Sequence, residues 1–305
     1  MAHEGDDDRK RQERPAKKQY FAPRDPNVPR ERPGGPKPLR PSQRPKLGIF
    51  TTTLWEYPSQ HYTSDRELTA EDIAEGRTRF MQGDKHYVGA TPSWVIWQVL
   101  MRYTKPGDLV VDPMCGSGTT LDVCHDLKRK GRGFDLNPQR REIELADARR
   151  LPLPDRAVDF VFVDPPYSTH VDYSDDPRCI GKLDAGGDDG GRSYYEAMDR
   201  VIGEIDRVLR PGRHMALYVS DSWRRTRGGA RGEGVFMPIG FELFGMMSRR
   251  FEPCDIVAVT RHNAKLGKGN WHKAAEEQNF FLRGFNYLFI MRKPGPWRDA
   301  EGGER

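Results

Sequence analysis

Long apolar runs are missing from this 305-residue chain. Hydrophobic residues make up 36% and charged residues 31%, and no segment approaches the eighteen or so apolar residues of a membrane span. No membrane association is therefore expected. Cysteine is scarce: Cys115, Cys124, Cys179 and Cys254 stand apart, and no two form C-x-x-C. That excludes a disulfide framework and a zinc site, so no metal is expected and a reducing cytoplasm fits. The opening MAHEGDDDRK has no apolar stretch of the kind an export signal needs. No repeat period is visible either.

What is abundant is charge, unevenly placed. Residues 1–46 hold 13 Lys/Arg against 7 Asp/Glu, a net of +6 within a chain total of +5, leaving −1 for the rest. The same stretch carries nine of the 24 prolines and few aliphatics. It buries too little surface to offset its ordering entropy, so a disordered basic Pro-rich tail is expected. Such a tail can hold phosphates loosely or simply solubilise. A body over 47–294 and a disordered C-terminal tail over 295–305 complete the expected organisation.

Within the body, strand and helix patterns alternate. LGIFTTTLWEYPSQHY (47–62) opens it. TPSWVIWQVLMRY (91–103) reads as a helix with Thr91 as N-cap and Pro92 in its first turn. Strands are expected in 108–113, 133–138, 142–152, 158–167, 214–220, 254–260 and 285–293, and helices over 119–131, 193–212 and 239–251. The resulting expectation is an α/β fold with a seven-stranded, mostly parallel sheet covered by helices on both faces. The link from Asn137 to Glu142 breaks the pattern, since a parallel crossover normally takes a dozen residues or more. It implies a lost helix or an unusual extended loop.

VVDPMCGSGTT (110–120) lies between a strand and a helix. Gly116 and Gly118 let backbone approach a ligand closely, and the helix start offers unpaired N–H groups. The G-K-[ST] ending of a P-loop is absent. Asp135 ends the next strand, where nucleotide-binding α/β folds place an acid that grips ribose hydroxyls. Asp147 ends the third strand similarly and can accept from an adenine amino group. With Asp112, three acids fall at the carboxyl edge of the sheet.

A second motif is DFVFVDPPYSTH (159–170), in which a buried strand is stopped by two prolines. DPMCGSGTT together with DPPY resembles the S-adenosylmethionine-dependent amino-methyltransferases of DNA bases, the N6-adenine and N4-cytosine enzymes. TPSW and RVLRPGRHMALYVSD resemble further motifs of that family, over about residues 85–293. The resemblance implies a Rossmann-like class I methyltransferase fold and S-adenosyl-L-methionine as cofactor. Its cofactor residues would be Thr91, Pro92, Asp112, Pro113, Met114, Cys115, Gly116, Ser117, Gly118, Thr119, Asp135, Asp147 and Ala148. Its catalytic residues would be Asp164, Pro165, Pro166 and Tyr167. An exocyclic amine is a poor nucleophile, because its lone pair is delocalised into the ring. The Asp164 carboxylate and the Pro165 carbonyl can accept its hydrogens, Pro166 stiffens the turn, and Tyr167 can stack on a base swung out of its helix. No covalent enzyme–base adduct is implied, so Cys115 is expected to pack under the loop.

Base and phosphate contacts are expected from three loops, 168–191, 222–237 and 261–284. Tyr173 is the candidate base contact, and Arg224, Arg225, Arg227, Lys265, Lys268, Trp271 and His272 the candidate phosphate and stacking residues. His170 is expected to hydrogen-bond within its own loop. DNA is the expected partner, adenine N6 ahead of cytosine N4. RNA methylation at guanine N2 and an inactive nucleic-acid-binding subunit are the alternatives. Neither a restriction endonuclease partner nor a homodimer is legible in the residues.

Overall fold

The computed structural model describes residues 48–57, 60–62, 64, 82–84, 87–225, 234–261 and 269–295. In chain order they form β1 (Leu54–Trp55), α1 (Ser93–Tyr103), β2 (Leu109–Asp112), α2 (Thr119–Asp126), β3 (Lys130–Asp135) and β4 (Ile143–Leu145). Next come β5 (Val158–Val163), a 3-10 turn at Ile180–Lys182, α3 (Arg192–Val208) and β6 (Leu209–Val219). β7 (Ser222–Arg225), β8 (Gly234–Met237), α4 (Ile239–Met247), β9 (Glu252–Thr260), α5 (Gly269–Gln278) and β10 (Phe285–Arg292) complete the set.

Eight strands make one sheet in the order β1-β9-β10-β6-β5-β2-β3-β4. Only β10 runs antiparallel to its neighbours; the other pairs are parallel. Successive strand residues point to opposite faces, and two cores result. Val111, Val161, Val163, Met215, Leu217 and Phe289 face the core capped by α3 and α4. Val110, Phe160, Phe162, Ala216, Tyr218 and Leu288 face the core that holds Trp94, Val99 and Leu100 of α1 with Val123 of α2. Every residue of β5 is buried, which is why it reads as a continuous apolar run rather than an alternating one.

The expected α/β sheet with helices on both faces is present, with eight strands rather than seven. The extra one, β1, pairs only Leu54 and Trp55 with β9, too few residues to leave a period. Helix α2 ends at Asp126, not near Gly131. Arg129 N–H reaches back to the Cys124 carbonyl at 2.7 Å, and Lys128 takes the left-handed conformation (φ 58) usually given to glycine at a helix end. Gly131 is instead a strand residue packed on Cys124. Helix α3 stops at Val208, and β6 absorbs Arg210-Pro211-Gly212 as a bulge: Val158 pairs with Leu209, but Phe160 pairs with His214. The strand expected over 142–152 contracts to Ile143–Leu145. The 222–237 loop closes as an antiparallel ribbon of β7 and β8, and 261–284 contains α5.

The short link is an extended loop with no helix. Residues 136–142 carry the chain from β3 to β4, which pair in parallel. Arg140 anchors it by a fork of two bonds, 2.8 and 3.0 Å, to Asp122 of α2. Asp122 is buried, and it also accepts the Gly83 N–H at 2.8 Å. Strand β2 lies between β3 and β5, so the chain reverses direction across the sheet there. Crevices of open α/β sheets form at such a point, beyond the carboxyl ends of the strands.

Candidate active site

Glycine at 116 and 118 is required by backbone and space alike. Their φ values are +51 and +82, and a Cβ would meet the Tyr87 ring at 3.0 Å and the Arg140 guanidinium at 2.8 Å. The loop between β2 and α2 is then tied down by the acids around it. Asp112 accepts the Met114 N–H at 3.0 Å and the Thr120 hydroxyl at 2.5 Å. Asp135 accepts the N–H of Gly116 at 2.9 Å and of Asn137 at 2.8 Å. Cys115 is buried, its sulfur against Gly133, and burial raises its thiol pKa well above the ordinary range. It stays a thiol, as packing rather than nucleophilic duty requires.

At the end of β5 the Asp164-Pro165-Pro166-Tyr167 turn is held from three sides. Thr91 Oγ1 donates to Asp164 Oδ2 at 2.5 Å, and Tyr167 donates to Asp164 Oδ1 at 2.7 Å. Asn286 of β10 donates to the Tyr167 hydroxyl at 3.0 Å. Tyr194 of α3 donates to the Pro166 carbonyl at 2.7 Å. Thr91 is thus not the helix cap: Pro92 occupies that position and makes no side-chain cap bond. A proline there frees the hydroxyl before it to reach across to β5.

Burial pushes the carboxyls of Asp112 and Asp164 up to about 7, against the hydrogen bonds that favour their ionised forms. Burial raises Asp135 as well. Asp147 is held low: burial works against ionisation there, and the Arg149 guanidinium at 2.6 Å outweighs it.

One cavity of about 930 Å³ joins these parts. Asp112, Gly116, Ser117, Thr119, Asp135, Asp147 and Ala148 line it together with Asp164, Pro166, Tyr167 and Tyr173. Thr91, Pro113, Met114 and Cys115 line it too, as do Arg224 and Trp271. Pro92 and Pro165 are buried and lie outside the lining, as do Gly118 and His272. Arg224, in the lining, pairs with Asp184 at 2.9 Å and with the Gly186 carbonyl at 3.0 Å and keeps its side chain 40% exposed. Arg225 lies in β7. Arg227, Lys265 and Lys268 lie outside the described residues. His170 bonds to Ser222 of the ribbon. Among the described residues no cluster of His, Cys, Asp and Glu could hold a metal ion.

Residues not singled out from the sequence complete the lining. Tyr87 packs on Gly116, and its ring centroid lies 6.4 Å from that of Tyr173. Arg261 donates to Ser220 at 3.3 Å and acts electrostatically on Asp164. Asn286 carried a readable signal: a polar residue at a core-facing position of an apolar strand. The arrangement suits a ligand with a positive centre and hydroxyls. Bare glycine backbone and three carboxylates form one wall, each oxygen retaining a second lone pair. The volume is at the upper end of small-molecule sites, about 300–1,000 Å³, leaving room for a second, flat group at Asp164.

Residues 6–146 match the family model described as DNA methylase, of the N6/N4 type. The match ends before Asp164. Relatives include the type II methyltransferase M.Cfr9I of Citrobacter freundii, 36% identical over 90 residues, 27% of this chain and 30% of that protein. The type II methyltransferase M.HpaI of Haemophilus parainfluenzae is 28% identical over 102 residues, 33% and 26% of the two chains. The chain therefore spans less than a third of the length of these relatives. A SAM-dependent methyltransferase of Methanosarcina mazei superposes with a TM-score of 0.41 at 16% identity, covering 64% of this chain and 97% of the other. The family match and the type II relatives support the likeness to DNA amino-methyltransferases read from the motifs.

Proposed function

We propose that this chain, a relative of the N6/N4 DNA methylases, is an S-adenosylmethionine-dependent enzyme that methylates the exocyclic amine of a DNA base, adenine N6 ahead of cytosine N4. One observation carries the reading: the glycine loop after β2 and the Asp164–Tyr167 turn after β5 line the same cavity. The residues present fit the cofactor. Gly116 and its neighbours would lie along it, Asp135 would meet its ribose, and Asp112 and Asp164 would stand near its positive centre. When bound, the cofactor supplies an electrophilic methyl group.

The chain's own residues do the rest. Asp164, fixed in orientation by Thr91 and Tyr167, accepts a hydrogen of the target amine and draws its nitrogen toward a more nucleophilic geometry. The Pro165 carbonyl, expected from the sequence to take the other hydrogen, lies outside the cavity lining, and the Pro166 carbonyl already accepts from Tyr194, so Asp164 is the acceptor this reading rests on. Tyr167 offers its ring beside the base while Asn286 fixes its hydroxyl. Holding both reactants in one crevice removes much of the entropic barrier.

The test is direct. The protein is incubated with tritium-labelled S-adenosylmethionine and duplex DNA, single-stranded DNA or tRNA, and the product is digested to nucleosides. Label in N6-methyladenine or N4-methylcytosine supports the reading. Label in N2-methylguanine from tRNA, or cofactor binding without transfer, overturns it.

A further inference from the structure

The lining of the cavity changes character at its outer wall, away from the carboxylates. Trp223 of β7 and Phe280, just beyond α5, stack with ring centroids 4.6 Å apart and planes within 9°. Phe281 is 85% exposed, yet it lines the same cavity as Asp164. Both phenylalanines line the cavity, but Phe280 is half-buried while Phe281 is exposed. Phe281 is not a loose end. The Phe280 N–H bonds the Ala275 carbonyl of α5 at 3.1 Å, and the Phe280 ring is pinned on Trp223. Arg283, two residues on, lies over the Phe236 ring at 4.9 Å, and its Nε is buried without a hydrogen-bond partner among the described residues.

Covering a large apolar ring exposed at the rim of a cavity is favourable, because it removes apolar surface from water. Here the neighbours say what: the Arg283 guanidinium suits a phosphate, the stacked Trp223 and Phe280 rings suit bases, and the cavity behind them has room for a flat group. A base drawn into that cavity leaves an unstacked gap in its duplex, open to a flat apolar wedge.

We propose that Phe281 is the wedge that enters the duplex where the target base leaves it, with the Trp223–Phe280 stack as its rigid mount and Arg283 beside it on the backbone. This rests on the base-methylation reading and deepens it. Phe281 is a positioning residue: it stabilises the extruded state and takes no part in the transfer.

The experiment compares wild type, Phe281→Ala and Phe281→Trp on unmethylated DNA of mixed sequence, as duplex and after heat denaturation to single strands. Initial rates of tritium transfer from S-adenosylmethionine are followed. Phe281→Ala should lower the duplex rate by at least about tenfold while the single-strand rate stays within about twofold, because only the duplex must be unstacked. Phe281→Trp should restore most of the duplex rate. The single-strand rate also reports that the variant is folded. Equal loss on both substrates, or no loss on duplex, overturns the proposal. Wild type inactive on both substrates removes the methylation reading and the wedge with it, an outcome visible before any variant is made.

Discussion

Thr91 Oγ1 donates to Asp164 Oδ2 at 2.5 Å, tying the start of α1 to the end of β5 across 73 positions of chain. The bond favours the ionised carboxyl, against the desolvation that raises its pKa to about 7. Thr91→Val keeps the branched shape and removes the donor. A hydrogen bond to a charged group contributes about 1.5 kcal/mol at the low end of its range, or roughly one pKa unit. The variant should therefore transfer methyl groups about fivefold more slowly at neutral pH and approach the wild-type rate about two pH units higher. A deficit that persists unchanged at alkaline pH would mean that Thr91 acts by some other route.

Removing the carboxyl altogether separates chemistry from cofactor binding. Asp164→Ala deletes the acceptor for the amine while leaving Gly116, Asp112 and Asp135 in place. A drop of about 10²–10³ in kcat is expected, comparable to losing one transition-state hydrogen-bond partner elsewhere. The cofactor Kd, read by calorimetry at about pH 5.5, where Asp164 is protonated and adds no charge to the site, should stay within about threefold, under 1 kcal/mol. A large loss of cofactor affinity would assign Asp164 to the cofactor instead.

How much of this was readable in the chain depends on the range over which each feature is determined. Gly116, Gly118 and Asp164 announce themselves because a strand end, a tight turn and a proline stop are local events. The alternation of strands and helices is local too. Lys128, by contrast, takes a glycine's conformation only because Arg129 and Cys124 close the helix end around it. Arg140 reads as one of many surface arginines until the folded chain sets it on Asp122. Phe281 is indistinguishable in sequence from Phe280, and one is stacked while the other is bare. Arg224 looked like a phosphate contact, and Asp184, 40 positions upstream, also pairs with it.

The Arg140–Asp122 pair makes the helixless link testable. Arg140 is 22% exposed in its side chain and Asp122 3%, so Arg140→Ala takes the guanidinium fork away from a buried carboxylate. Removing one partner of a buried pair costs about 3–5 kcal/mol, and the partial exposure of Arg140 puts the expected loss at the lower end. Because Arg140 also packs on Gly118, cofactor affinity should fall along with stability. Urea denaturation and calorimetry on the same variant read both. The variant Arg140→Ala, Asp122→Asn should recover part of the stability, since it no longer buries a charge deprived of its guanidinium partner. No recovery would show that the link is held by something other than this ion pair.

Asp112 and Asp164, both raised to about 7 by burial, make opposite demands on pH. In the unfolded chain each titrates near 3.8. Between that value and about 7 the folded protein holds protons that the unfolded chain has released, so the unfolding free energy falls as pH rises through this window. Without cofactor, the urea midpoint should be higher near pH 5 than near pH 8. A cationic ligand beside the two carboxyls favours their ionised forms, so cofactor binding should release protons. Affinity should then rise with pH up to about 7 and flatten beyond it, because binding no longer has to displace a proton. Calorimetry in two buffers of different ionisation enthalpy, near pH 6.5, counts the protons released. The rate should follow the same limb, since only an ionised Asp164 accepts freely from the amine. Asp112→Asn should flatten part of the stability slope while leaving the acidic limb of the rate. A cofactor affinity independent of pH between about 5.5 and 8.5 would place neither carboxyl beside the positive centre.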